Sequence, residues 1–200
     1  MSEWFEQPYL SPSALAPLDL TGRLADLDIQ KMTVLDLGCG RNDGFISSQV
    51  LEIPCQALYS MDGYAPYLRE LEKKPCAAKK HTLVCLDVRR AFEWLDHAGI
   101  DSPDVVIMLD VLEHLEMIEA ERLLELIIER VTTRCLIWLP FGEVHQDAEA
   151  WGDTNKFQEH KSSWYPAILA ERGFKTTVYP GFHKHFTPNA DAGWAIFDQL

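Results

Sequence analysis

The stretch Val34-Leu35-Asp36-Leu37-Gly38-Cys39-Gly40-Arg41-Asn42-Asp43-Gly44 limits the fold more than any other part of the chain. A short apolar run carrying one acid breaks into two glycines and reaches an Asp that suits a helix N-cap. That order predicts a buried strand, a tight loop where a ligand approaches the backbone, and a helix from about Asp43 to Leu51 with Phe45, Ile46 and Val50 on one face.

The rest of the chain repeats the alternation. Ala57 to Met61 reads as a second strand, closing at Asp62-Gly63. Thr82 to Leu86 reads as a third, ending at Asp87. Asp104 to Leu109 reads as a fourth, ending at Asp110, and Cys135 to Leu139 as a fifth, stopped by Pro140. Phe174 to Tyr179 and Trp194 to Phe197 complete seven. Between them lie helical patterns at Tyr64 to Lys74, Ala91 to His97, Leu112 to Val131 and Trp164 to Arg172. The long one presents Leu115, Ile118, Leu123, Leu124, Ile127, Ile128 and Val131 on one face. The first strands are apolar throughout rather than alternating, the mark of strands covered on both sides. The expected class is therefore α/β: a three-layer sandwich with a Rossmann-like, seven-stranded, mostly parallel sheet and helices on both faces.

With 200 residues and no visible boundary, residues 1–200 are read as one domain. Residues 1–33 form an N-terminal arm, either packed on the core or acting as a lid through Trp4, Phe5 and Tyr9. Leu20, Leu24 and Leu27 have helical spacing within it. Residues 141–160 are polar and aperiodic, and follow the fifth strand as a substrate-side loop.

Net charge is −13 with a pI near 4.9, so a phosphate backbone is repelled and nucleic acid is not the expected partner. The basic pairs Lys73-Lys74 and Lys79-Lys80 read as a solvated face. No apolar run is long enough to span a bilayer, and the first residues lack the pattern of a signal peptide, so a soluble, cytoplasmic chain without membrane association is expected. The 5 cysteines show no zinc or redox spacing and read as free thiols, with Cys85 and Cys135 in the core. His183 and His185 have suggestive spacing but no clear third ligand, so no metal is expected.

Four strands in succession end in an acid, Asp36, Asp62, Asp87 and Asp110, at the carboxyl ends where open parallel sheets bind ligands. A dinucleotide fold would place a third glycine three residues after Gly40, but Asp43 stands there. An acid at that helix start repels a pyrophosphate. A cofactor with positive charge and no phosphate suits this rim better than NAD.

Here the sequence resembles a known family. Val34 to Gly40 resembles the first motif of class I S-adenosylmethionine-dependent methyltransferases. Asp62 after the second strand and Leu86-Asp87-Val88 after the third continue the likeness. Asp104 to Leu115, with Asp110-Val111-Leu112-Glu113-His114, is similar to the fourth-strand segment of the small-molecule branch, the type 11/12-like methyltransferases. Gln158 to Trp164, then Leu169 and Gly173-Phe174, resembles the stretch before that branch's sixth strand.

The resemblance implies S-adenosylmethionine as cofactor. Gly38, Cys39 and Gly40 would let the backbone approach its methionine part, and Asp36 would hold either the loop or the ammonium group. Asp62, with Gly63, would meet the ribose hydroxyls. Asp87 would meet the adenine amino group, with a main-chain contact from Val88, and Asp110 would lie near the transferred methyl. Loop capping competes with these roles at Asp36, Asp62 and Asp87, and helix capping at Asp110.

For an acceptor that must lose a proton, His114, His160 and His145 are the candidate bases. His114 follows Asp110 by one helical turn if the helix starts there; the alternative is a packing role. Pro140-Phe141-Gly142 departs from the Asn/Asp-Pro-Pro-aromatic motif of methyltransferases acting on nucleobase nitrogens. The expected reaction is transfer to an oxygen, less readily a nitrogen, of a small molecule or glycan. The alternative is a non-catalytic module that keeps the cofactor pocket to bind a partner. Oligomeric state is not legible.

Overall fold

Seven strands form one sheet in a computed structural model that describes residues 18–44, 46–149, 155–182 and 190–199. In chain order they are β1 Thr33–Leu37, β2 Ala57–Asp62, β3 His81–Cys85, β4 Val105–Leu109, β5 Arg134–Phe141, β6 Lys175–Tyr179 and β7 Asp191–Asp198. The spatial order is β3-β2-β1-β4-β5-β7-β6, parallel except that β7 runs antiparallel to both β5 and β6. Among the described residues the α-helices are α1 Ala65–Leu71, α2 Ala91–His97, α3 Met117–Arg130 and α4 Pro166–Ala170.

The unbroken apolar strands are explained by the two layers that cover them. Leu35 and Leu37 of β1, with Val106 and Met108 of β4, face a core built with Phe92 and Leu95 of α2 and Leu123, Leu124 and Ile127 of α3. Their neighbours Val34, Val105 and Ile107 face the opposite core, with Leu68 and Leu71 of α1, Val50 and Leu51. Successive side chains point to opposite faces of a strand, so both parities must be apolar. The arm contributes Leu18, Leu20 and Leu24 to the second core, which makes its described part a packing element. Trp4, Phe5 and Tyr9, the residues of the lid reading, lie outside the described residues, as do Phe45, His183 and His185.

Several boundaries differ from expectation, each for a local reason. The helix expected from Asp43 is a 3-10 turn, Ser47–Glu52. Asp43 lies 3.2 Å from Arg41 in an ion pair instead of capping, and Ser47 Oγ meets the Gly44 N–H at 3.1 Å. The helix expected from Leu112 divides into a 3-10 turn, Leu112–His114, and α3. Glu116 and Glu119 form a capping box that starts α3 at Met117. Ile118, expected on the apolar face, is therefore 76% exposed in the first turn. Strand β5 runs through Pro140 to Phe141, because β4 pairing ends at Trp138 and only β7 continues beside it. A residue without an N–H is tolerated on such an unpaired flank. Cys85, expected in the core, is exposed at the end of the edge strand β3, whereas Cys135 is buried.

No helix among the described residues is long and apolar enough to cross a membrane. The order of strands reverses between β1 and β4, and the crevice beyond their carboxyl ends is where such a sheet receives a ligand.

Candidate active site

The glycine loop leaves β1 and bends toward β2, with the Gly38 and Cys39 N–H groups donating to the Met61 carbonyl at 2.8 and 3.0 Å. Asp62 closes β2 and fixes that loop. Its Oδ2 accepts from the Gly40 N–H at 2.9 Å and its Oδ1 from the Tyr64 N–H at 2.7 Å. From the other side Lys74 donates to the carbonyls of Arg41 and Asn42 at 2.7 and 2.8 Å. Lys74 is thus a clamp on the loop rather than part of a solvated face.

The two glycines do different work. Gly38 has φ +69°, and a Cβ there would meet Val111 Cγ2 at 2.6 Å. Gly40 has φ +58° and nothing within 4 Å of an added Cβ, so it borders open space. Asn42 is buried at φ 54°, and both polar atoms of its side chain have no hydrogen-bond partner among the described residues.

Asp36 lies inside β1, not at its end, and is 2% exposed with Oδ2 unpartnered among the described residues. Burial raises its carboxyl to about 7, with the nearby Asp62 charge adding and the Ser60 hydroxyl opposing. Burial also raises the Asp62 carboxyl and, with both acids nearby, the Cys39 thiol. Asp110 follows β4 at φ 55°, and its N–H donates to the Trp138 carbonyl at 2.8 Å. Its side chain is exposed to the cleft although protein surrounds it. The surrounding protein raises its carboxyl to about 7, while water in the open cleft works against that rise.

Asp87 stands two residues past β3 and caps the 3-10 turn Val88–Arg90. Its carboxylate pairs with the Arg89 guanidinium, which holds it below the usual carboxylate range. Val88 is buried in the core. The Phe157 ring covers Gly63, so a Cβ there would meet Phe157 Cζ at 2.8 Å. Beside them lies a cavity of about 410 Å³ lined by Gly63, Tyr64, Ala148, Asn155, Lys156 and Phe157.

The expected loop, residues 141–160, leads into a strap that docks just past it on the segment after Asp110. The Lys161 and Ser162 N–H groups both donate to the Glu113 carbonyl, at 2.7 and 3.1 Å, and Ser162 Oγ donates to the Leu112 carbonyl at 3.1 Å. This docking brings His160 to His114, with ring centroids 4.8 Å apart. His114 sits in a 3-10 turn rather than one α-helical turn beyond Asp110. Burial, with His160 adding, pushes its imidazole down to about 4, and burial lowers that of His160 as well. His145 points outward, its side chain 84% exposed and 3.1 Å from Asp147.

Asn42, Glu113, Asn155 and Phe157 were not singled out from the sequence. Asn42 lies within the glycine motif and Glu113 within the segment after β4, and only burial distinguishes Glu113 from an ordinary helix-start acid.

An acid inside β1 and acids at the carboxyl ends of β2 and β4, beside a glycine loop at the switch point, can be compared with solved proteins. Magnesium protoporphyrin IX methyltransferase from Synechocystis PCC 6803, crystallised with bound SAM, aligns with a TM-score of 0.57 at 18% identity, over 88% of this chain and 75% of that one. The chain has the class I S-adenosylmethionine-dependent methyltransferase fold. The N-methyltransferase NodS from Bradyrhizobium japonicum WM9, solved with S-adenosyl-L-homocysteine, aligns with a TM-score of 0.57 at 13% identity, over 94% of this chain and 84% of that one. A small RNA methyltransferase aligns with a TM-score of 0.55 at 18% identity, over 84% of this chain but 24% of its own. No family model and no curated protein matches the sequence.

Proposed function

We propose that the protein is an S-adenosylmethionine-dependent methyltransferase acting on an oxygen, less readily a nitrogen, of a small molecule or glycan. The observation that carries the reading is the unpartnered, buried Asp36 Oδ2 near Asp62, whose bonded partner Gly40 borders open space. A buried carboxylate oxygen without a donor is unfavourable, and a ligand ammonium group would satisfy it. The amide of Asn42 offers a donor and an acceptor in the same loop, and the unpartnered Asn155 Nδ2 offers a donor beside the cavity at Gly63. These groups fit a zwitterionic, phosphate-free cofactor with an adenosine end. Asp110, open to the cleft, would face its positive sulfonium side.

The cofactor, when bound, supplies an electrophilic methyl group on sulfur. The protein's task is alignment of the acceptor with that methyl, a proximity effect. His114 and His160 would border the acceptor, while His145 lies on the exposed outer side of the loop. Neutral imidazoles can accept an acceptor's hydrogen bond and orient its lone pair.

Titration calorimetry with S-adenosylmethionine, S-adenosylhomocysteine and NAD tests the reading. Binding of both adenosyl ligands but not NAD is expected, and failure of both to bind refutes it. A screen with methyl-labelled cofactor over alcohols, phenols, amines and oligosaccharides then identifies the acceptor. Cofactor binding with no transfer across that screen would favour a non-catalytic module instead.

A further inference from the structure

One cluster is not used by cofactor binding. Glu113, His114 and His160 each offer one ligand atom, and these atoms all lie within 4.8 Å of one another. Glu113 is 2% exposed, and its Oε2 has no hydrogen-bond partner among the described residues. A carboxylate buried without a donor is unfavourable unless it is paired or holds a metal.

Backbone carbonyls hold both histidines. His114 Nδ1 lies 3.2 Å from the Glu159 carbonyl and His160 Nδ1 lies 2.7 Å from the Val144 carbonyl. A carbonyl only accepts, so His160 carries its proton on Nδ1 and keeps the Nε2 lone pair; His114 has both the Glu159 and the Gln158 carbonyls as acceptors, and as a neutral ring it too keeps one nitrogen lone pair. Metal-bound histidines are oriented in this fashion, with the second ring N–H held by a carbonyl or carboxylate. The backbone of the strap is itself fixed to Glu113 by the Lys161 and Ser162 N–H groups. The three donors therefore belong to one braced unit.

We propose that Glu113, His114 and His160 form a binding site for a divalent first-row transition ion. Two imidazoles and one carboxylate favour ions of the manganese, cobalt or zinc type over magnesium or calcium, which prefer oxygen. Bonds of about 2.0–2.2 Å keep two ligand atoms of one ion no more than about 4.4 Å apart, so a small closure of the cluster accompanies binding. Three protein ligands leave positions open for water or a substrate oxygen. Asp110 is three residues before Glu113, so the ion would stand beside the acceptor side of the cleft. Its role there rests on the methyltransferase reading: an oxygen on the ion would be held in place and made more acidic. Binding of the ion does not depend on that reading.

The test uses the full chain, stripped with a chelator and titrated with Mn²⁺, followed by the paramagnetic signal of the free ion, and with Co²⁺, followed by visible absorption. Mg²⁺ is the comparison. One Mn²⁺ or Co²⁺ per chain is expected, with Mg²⁺ bound more weakly. Glu113→Gln and His160→Gln should each weaken binding by more than about ten-fold, the loss seen even when an outer supporting group of a metal site is removed. Circular dichroism checks that both variants fold, and nitrogen couplings in the Mn²⁺ spectrum report imidazole ligation without any variant. Absence of stoichiometric binding to the wild-type chain overturns the proposal, as does binding that folded variants leave unchanged. Parallel titration with S-adenosylhomocysteine separates the two readings. A chain that binds the ion but not the adenosyl ligand has the metal site without the proposed reaction.

Discussion

Replacing Asp62 separates two roles for one carboxylate. In the structure it receives two backbone N–H groups, from Gly40 at 2.9 Å and Tyr64 at 2.7 Å, and it is 8% exposed. A hydrogen bond to a charged group contributes about 1.5–3 kcal/mol net, so two bonds give about 3–6 kcal/mol as an upper range. They share one acceptor, and burying the charge opposes them, so Asp62→Ala should lower unfolding free energy by about 2–4 kcal/mol. Asp62→Asn keeps the shape and one acceptor but turns an NH2 toward the second donor, so about half that loss is expected. Urea unfolding at neutral pH, followed by circular dichroism, gives the stability change. Calorimetric titration with S-adenosylhomocysteine gives the binding change, expected to exceed about 1 kcal/mol for Asp62→Ala. An unchanged unfolding midpoint with lost ligand affinity would refute the clamp and leave the carboxylate to the cofactor alone. Unchanged stability and unchanged affinity would refute both roles.

Two further outcomes follow from the same rim. Gly38→Ala meets Val111 Cγ2 at 2.6 Å as well as a left-handed backbone, whereas Gly40→Ala meets only the backbone penalty. Denaturation should show Gly38→Ala losing about 2–4 kcal/mol and Gly40→Ala about 1–2 kcal/mol, and equal losses would contradict the packing difference. Asp36 has its folded-state carboxyl raised from 3.8 to about 7, so between those values the native state holds a proton the unfolded chain has released. Its contribution to stability is therefore present at low pH and is lost as pH rises toward 7. Compared with Asp36→Asn, the wild type should lose stability across that window and run parallel above it. Parallel curves throughout would show that the carboxyl is not raised.

The layers of the fold were readable because both parities of β1 and β4 are apolar, and only a sheet covered on two faces requires that. Helix α2 was readable end to end, since Gly99 closes it and no competing cap intrudes. The errors arose where a side chain chose a partner that periodicity cannot register. Asp43 turned to Arg41, and Glu116 paired with Glu119 to restart the backbone inside an otherwise continuous apolar pattern. The glycine loop and its acids were visible as a motif, but the hold of Lys74 on Arg41 and Asn42 depends on where α1 ends in space. The acceptor side was least legible. Glu113 and His160 are far apart in sequence and meet only through the docking of the strap.

Asp110 adopts a left-handed backbone conformation. A residue with a side chain carries roughly 1–2 kcal/mol of local strain there, and glycine carries almost none. The chain nevertheless places an acid at this position, open to the cleft. On the proposed reading, stability and chemistry make opposing demands on a single residue at the point where the sheet order reverses. A thermostabilising redesign that scored positions by folding energy alone would select glycine at 110. It would return a sturdier scaffold without the acid that the proposed reading sets beside the cofactor.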